Sequence, residues 1–223
     1  MKKILSALLL LLCISCFGQE QIDYEVDSLF TVRIPKDYFV KDTLGTVVVS
    51  ADVSQARILI TTVPKTELTL FVRNPGELIG YYRGVQAGVI NETNGKLVSE
   101  TVEHVNKLKL WRFSYVAIIG EEQQLRDNLL LFLNGKTYCI QFVQLESMKE
   151  EKEWEREKLF ASLRIYGNVR PEDQFIEVEG DKKSNAYNAG YKIGQSIGYL
   201  LIGITISGII AGLIFWIVRR NIK

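Results

Sequence analysis

Two apolar runs bracket a chain whose middle alternates between strand-like and helix-like periods. Phe30 to Ile34, Thr46 to Ala51 and Ala56 to Thr62 are rich in β-branched and aromatic residues, and polar Asp52 to Gln55 joins the last two. They predict three strands. Asn74-Pro75-Gly76-Glu77 reads as a helix start, with an amide that can cap, a proline suited to the first turn and a glutamate at the third position. Leu78, Tyr82, Val85 and Val89 follow at helical spacing, and the helix is expected to stop before Asn94-Gly95. Gly80, Gly84 and Gly88 each weaken its intrinsic preference by about 1 kcal/mol against alanine. They make sense if that face lies close against a sheet.

Four more strands are predicted as a meander: Leu97 to Val105, Leu108 to Ile118, Leu125 to Leu133 and Thr137 to Leu145. Asn106-Lys107, Gly120 with two glutamates, and Asn134-Gly135 supply the turns; Asn-Gly is the dipeptide that favours a two-residue hairpin. Ser147 to Leu163 reads as a charged amphipathic helix whose Met148, Leu159, Phe160 and Leu163 share one face, with Trp154 off it. Strand, strand, strand, helix, four strands, helix is an α+β order, an antiparallel sheet flanked by two helices.

The chain ends define its expected organisation. Residues 1–18 combine Lys2 and Lys3, an apolar stretch from Ile4 to Ile14, and small Cys16 and Gly18 before Gln19, the pattern of a secretory signal peptide. Cys16 is then either removed or, through a loose lipobox at Cys13 to Cys16, lipidated. Ile197 to Val218 is 22 residues without a charge. At about 1.5 Å per residue such a helix reaches about 33 Å, enough for a hydrocarbon core of about 30 Å. The expected domains are the leader (1–18), an extracytoplasmic domain (19–166), a polar and glycine-containing tether (167–196), a transmembrane helix (197–218) and a cytoplasmic tail (219–223). As a flexible coil the tether would let the domain sit clear of the bilayer. Basic residues flank the span equally, so the leader, not the positive-inside rule, sets the orientation: N-terminal domain outside, in a bacterial envelope, with the inner membrane favoured.

The 223 residues carry a net charge of +1 and one histidine. The near-neutral balance argues against nucleic acid as a partner, and a single imidazole rules out a zinc site needing two. Residues 19–195 hold 22 basic and 26 acidic residues, a net of −4 that does not draw the domain to anionic lipid. No phosphate- or dinucleotide-binding glycine motif is present. Gly194-Gln195-Ser196-Ile197-Gly198 matches the G-x-S-x-G of a nucleophile elbow. It lacks a preceding strand and a downstream histidine. Cys139, in Tyr138-Cys139-Ile140, reads as a core residue, and His104, beside a turn, as solvated. Glu146, Glu150, Glu151, Glu153, Glu155 and Glu157, interleaved with Lys149, Lys152, Arg156 and Lys158, read as a solvated helix face on which Lys149 and Glu153 can pair. No catalytic residue, cofactor site or metal site is expected.

The remaining candidates are small residues. Gly190, Gly194, Gly198, Thr205, Gly208 and Gly212 fall on one side of a continuous helix, interrupted by Leu201. A narrow stripe of this kind lets another helix approach closely, which points to self-association through the anchor. The competing explanation is that glycine is common in membrane helices.

The order of elements resembles the PsbP-like α/β/α sandwich, over about residues 22–166. The opening Phe30-Thr31-Val32-Arg33-Ile34-Pro35-Lys36-Asp37-Tyr38, the helix after Asn74-Pro75, the turn at Asn134-Gly135 and the closing Leu159-Phe160-Ala161-Ser162-Leu163-Arg164-Ile165 carry the resemblance. It implies a non-enzymatic role in binding or assembling other proteins. The expected function is therefore a membrane-anchored binding or assembly module with an unknown protein partner. The alternatives are an envelope hydrolase using carboxylates, and a carrier of a small ligand or lipid with a large apolar cavity between helix and sheet.

Overall fold

The computed structural model describes residues 19–43, 45–167, 169–176 and 185–221, with side chains followed as far as Gly203. The expected leader at 1–18 and the fate of Cys16 lie outside the described residues, as do the surroundings of Thr205, Gly208 and Gly212.

A seven-stranded antiparallel sheet forms the centre, in the order β3 (Tyr38–Thr43), β4 (Thr46–Val53), β5 (Ala56–Val63), β9 (Lys136–Leu145), β8 (Glu122–Leu133), β7 (Leu108–Ile119), β6 (Lys96–Val105). A second sheet pairs β1 (Gln21–Asp27), β2 (Phe30–Pro35) and β10 (Arg164–Ile165). Among the described residues three α-helices complete the domain: α1 (Pro75–Glu92), α2 (Glu153–Ala161) and α3 (Ala186–Asn221). The α+β class and the antiparallel sheet hold as expected. The flanking layers are richer than two helices, because α3 starts on the domain itself.

Both faces of the large sheet are covered, so its central strands read as nearly continuous apolar runs. On one face Leu130, Phe132, Trp111, Phe113 and Tyr115 meet Tyr81, Tyr82 and Val85 of α1 and Ile193 and Ile197 of α3. On the other, Leu129, Leu131, Leu133 and Phe142 meet Phe30, Val32 and Ile34 of β2 and Leu159 and Phe160 of α2. Asn74 caps α1 as its sequence predicts, its Oδ1 accepting from the amides of Gly76 and Glu77 at 3.0 Å each. Asn134 and Gly135 take φ of 51° and 79°, and Asn106 and Lys107 take 49° and 69°, the left-handed pairs that two-residue hairpins need.

Three differences from the sequence reading have physical causes. β3 escapes it because it is exposed along almost its whole length and shows no buried alternation, and β1, outside the predicted elements, turns Ile22, Tyr24 and Val26 towards the core between polar residues. α2 is shorter than Ser147 to Leu163: Glu146–Met148 is a 3-10 turn and the α-helix begins at Glu153. Lys149 is therefore off the helix, and Glu153 pairs with Arg156 instead, at 3.5 Å.

Candidate functional site

The predicted helix-packing glycines are the first candidates. α3 runs parallel to α1 with backbones nearly touching. A methyl built on Gly194 would fall 2.8 Å from the Val85 carbonyl carbon, and one on Gly190 2.9 Å from that of Tyr81. From the other side, Gly84 would meet the Tyr191 amide at 2.8 Å and Gly88 the Gln195 amide at 2.7 Å. These separations lie well inside normal carbon contact, so only glycine fits. Gly198 abuts the Glu92 side chain, and Gln195 Nε2 donates to Glu92 Oε1 at 2.7 Å. Gly80, by contrast, has nothing within 4 Å. The close approach seats Ala186, Ala189, Ile193, Ile197 and Leu201 in the core. Gly190, Gly194 and Gly198 thus pack against a helix of the same chain. A second copy could meet them only by displacing α1.

Ordered elements lie beyond residue 166. Residues 167–196 are not a free coil throughout: Pro171–Gln174 forms a 3-10 turn, Asn134 donates its amide to the Asp173 carbonyl at 2.8 Å, and α3 is on the domain from Ala186. Gln174 is buried, its side chain bonding both the amide and the carbonyl of Lys109 at 2.8 Å. Ile197 and Leu201, counted in the apolar span, are 0% and 1% exposed within the protein. Among the described residues no helix is long and apolar enough to cross a membrane.

The seven-stranded sheet has two open edges, β3, which exposes Tyr38, Phe39 and Val40, and β6, which has a groove beside it. β6 bonds to β7 alone in the sheet order, and Leu97, Val98 and Val102 are exposed large apolar residues along it. A free row of main-chain groups with apolar side chains in the open is a template for another strand. Beside it lies an open groove of about 630 Å³ lined by Gln86, Ala87, Ile90, Asn91, Asn94, Gly95, Leu97 and Tyr191. Gln86 fixes one wall, accepting from Trp111 Nε1 and donating to Glu100 Oε2 at 2.7 Å. Sequence periodicity misses this surface, because β6 is told from its neighbours only by being last in the sheet.

Under α2 lies a buried polar cluster. Ser114 Oγ donates to Asp127 Oδ1, and the Arg156 guanidinium stands 3.6 Å from Oδ2. Arg112 pairs with Glu103 at 3.1 Å and with Glu157, its guanidinium 4.6 Å over the Phe160 ring. The Arg112 partnership holds the Glu157 carboxyl below its usual range, whereas burial raises that of Asp127 despite the Ser114 bond and the Arg156 charge. A raised folded value means that ionised Asp127 is held at a cost near neutrality. The cost fades as pH falls through that value. Asp127→Asn is therefore expected to raise the urea midpoint at pH 7, with the gain closing towards about pH 4, the reference range for aspartate. A less stable variant at pH 7 would show instead that the Arg156 pair dominates.

The remaining candidates stay dispersed. His104 is exposed on β6. Cys139 is buried, and burial pushes its thiol up to about 12, so it is no nucleophile at neutral pH. Ser196, at the centre of the nucleophile-elbow match, sits within α3 and donates to the Lys192 carbonyl at 3.1 Å. Among the described residues no group of three or more His, Cys, Asp or Glu is placed to hold a metal. The layer between α1 and the sheet, where a carrier would keep its cavity, is filled by Tyr81, Tyr82, Phe113, Tyr115 and Phe132.

No protein-family profile matches the chain. No curated protein matches it. Solved structures do. The solution structure of cyanobacterial PsbP (CyanoP) from Synechocystis is 12% identical with a TM-score of 0.47, covering 68% of this chain and 95% of that one. LpqN of Mycobacterium tuberculosis, described as involved in cell envelope biogenesis, is 8% identical with a TM-score of 0.41, covering 66% and 90%. The Ran-binding protein Mog1p of Saccharomyces cerevisiae is 7% identical with a TM-score of 0.41, covering 66% and 96%. Cyanobacterial PsbP, which the order of elements resembles, is thus among the solved structures to which the chain is similar.

Proposed function

We propose that this chain is an extracytoplasmic binding or assembly module without catalytic activity, held to a bacterial envelope membrane by its C-terminal apolar run, and that it takes an extended segment of a partner protein onto β6. The observation that carries the reading is the unpaired β6 edge, with Leu97, Val98 and Val102 exposed beside an open groove. An added strand would gain main-chain hydrogen bonds from the edge and side-chain seats from the groove. The leader pattern at 1–18 and the charge-free Ile197 to Val218 support export and anchoring. The glycines serve the module by fastening α3 to it.

The test uses the full chain in its native membranes, crosslinked and isolated with its partners. A Leu97→Lys, Val102→Lys double variant changes two exposed positions and puts charge on the edge, which disfavours strand addition. It is expected to fold and fractionate like the parent and to lose the principal crosslinked protein. Equal recovery of that protein by parent and variant overturns the β6 assignment. A specific catalytic turnover by the purified full chain overturns the non-catalytic reading.

A further inference from the structure

The way α3 leaves the domain fixes which end of the domain would meet a membrane. α1 finishes beside Tyr115: a methyl on Gly95, three residues past α1, would lie 2.7 Å from the Tyr115 ring. α3 passes that last turn at Gly198, next to Glu92, and continues unbroken to Asn221. Beyond Tyr115, β7 runs only to Ile119 before the hairpin into β8, so α3 departs over the end of the sheet that carries this hairpin. Ile118 on the hairpin is 69% exposed, and Tyr199 on the outer side of α3 is 64% exposed.

Length then matters. Ile197 and Leu201 are sealed in the protein core, so lipid can claim the apolar run only from about Ile202 to Val218. Those 17 residues reach about 25 Å at 1.5 Å per residue, against a hydrocarbon core of about 30 Å. A short span is accommodated by thinning the bilayer and by drawing its flanks into the interface. The flank here is a folded domain joined without a flexible link.

Resting on the anchored reading above, we infer that the β7–β8 hairpin end of the domain is a lipid-facing surface, seated in the interface of the membrane that α3 enters, with Ile118 in contact with acyl chains. The hairpin also carries Glu121 and Glu122, so the contact is apolar and does not depend on anionic headgroups. The β6–β7 turn at Asn106-Lys107, at the opposite end of the same strand, faces away from the bilayer.

The full chain, reconstituted in phosphatidylcholine vesicles, tests this with a benzophenone amino acid placed at Ile118 or at Lys107, both exposed positions. Flotation first reports anchoring. Lipid adducts at least about tenfold more abundant from position 118 than from position 107 are expected, unchanged when a quarter of the lipid is phosphatidylglycerol. Vesicles that carry the protein but give equal adducts, or none from 118, overturn the seating while leaving the anchor intact. Failure to float overturns both.

Discussion

A fragment ending at residue 166 is expected to melt far below one ending at residue 203, or not to fold cooperatively at all. Residue 166 is where the sequence marks the end of the domain, yet one face of the sheet is completed only by later residues. Ile193, Ile197 and Leu201 are at most 4% exposed, and each buries a side chain worth about 1.5–3 kcal/mol. Ala186 and Ala189 add to this, and Gln174 satisfies the main chain of Lys109 and the carbonyl of Phe132. The summed loss is on the order of 5–10 kcal/mol, comparable to the whole stability of an ordinary domain. Circular dichroism melts of fragments 19–166 and 19–203 decide the matter. Matching midpoints would mean that α3 contributes nothing to the core.

The second large effect belongs to the helix crossing. Gly84→Leu or Gly194→Leu must push α1 and α3 apart, because the neighbour at each site is main chain and cannot rotate away. Overpacking of this kind costs about 1–3 kcal/mol and occasionally more; here the upper part of that range is expected, since separation also loosens Ile193 and Ile197. Gly80→Ala should go the other way. Its site is open, and removing a glycine from the interior of a helix gains about 1 kcal/mol. Urea denaturation of the three variants, with opposite signs for Gly80 and the other two, distinguishes a contact effect from helix propensity. A Gly84→Leu variant as stable as the parent would mean that the helices do not depend on close approach.

Much of the sheet could be read from the chain because its central strands carry apolar residues on both faces and its turns carry Asn-Gly or its equivalents. The start of α1 could be read because a cap, a proline and a glutamate coincide. β3 could not, since it is exposed along almost its whole length and leaves no period, whereas β1 alternates Ile22, Tyr24 and Val26 with polar residues and lies outside the predicted elements all the same. The glycines show both sides of the matter. Gly84 and Gly88 imply a close neighbour, and Gly190 and Gly194 imply another, but spacing alone does not say that the two sets are each other's neighbours. A stripe of small residues reads the same whether its partner lies about a hundred positions upstream or on another molecule. The interaction edge was illegible for a related reason: whether a strand is last in its sheet depends on pairing order, not on its own residues.

Because α3 closes over α1 from the far end of the chain, the order of synthesis carries a cost. By the time Leu145 is made, every strand of the seven-stranded sheet exists together with α1, yet the face that α1 shares with α3 must wait for some fifty further residues before its cover is complete. During that interval the part of the face that Ile193, Ile197 and Leu201 later complete lies open to its surroundings, the kind of surface that attracts chaperones and invites clumping. For this protein, arrest of translation before Leu201 would leave an uncovered, adhesive product rather than a smaller working one.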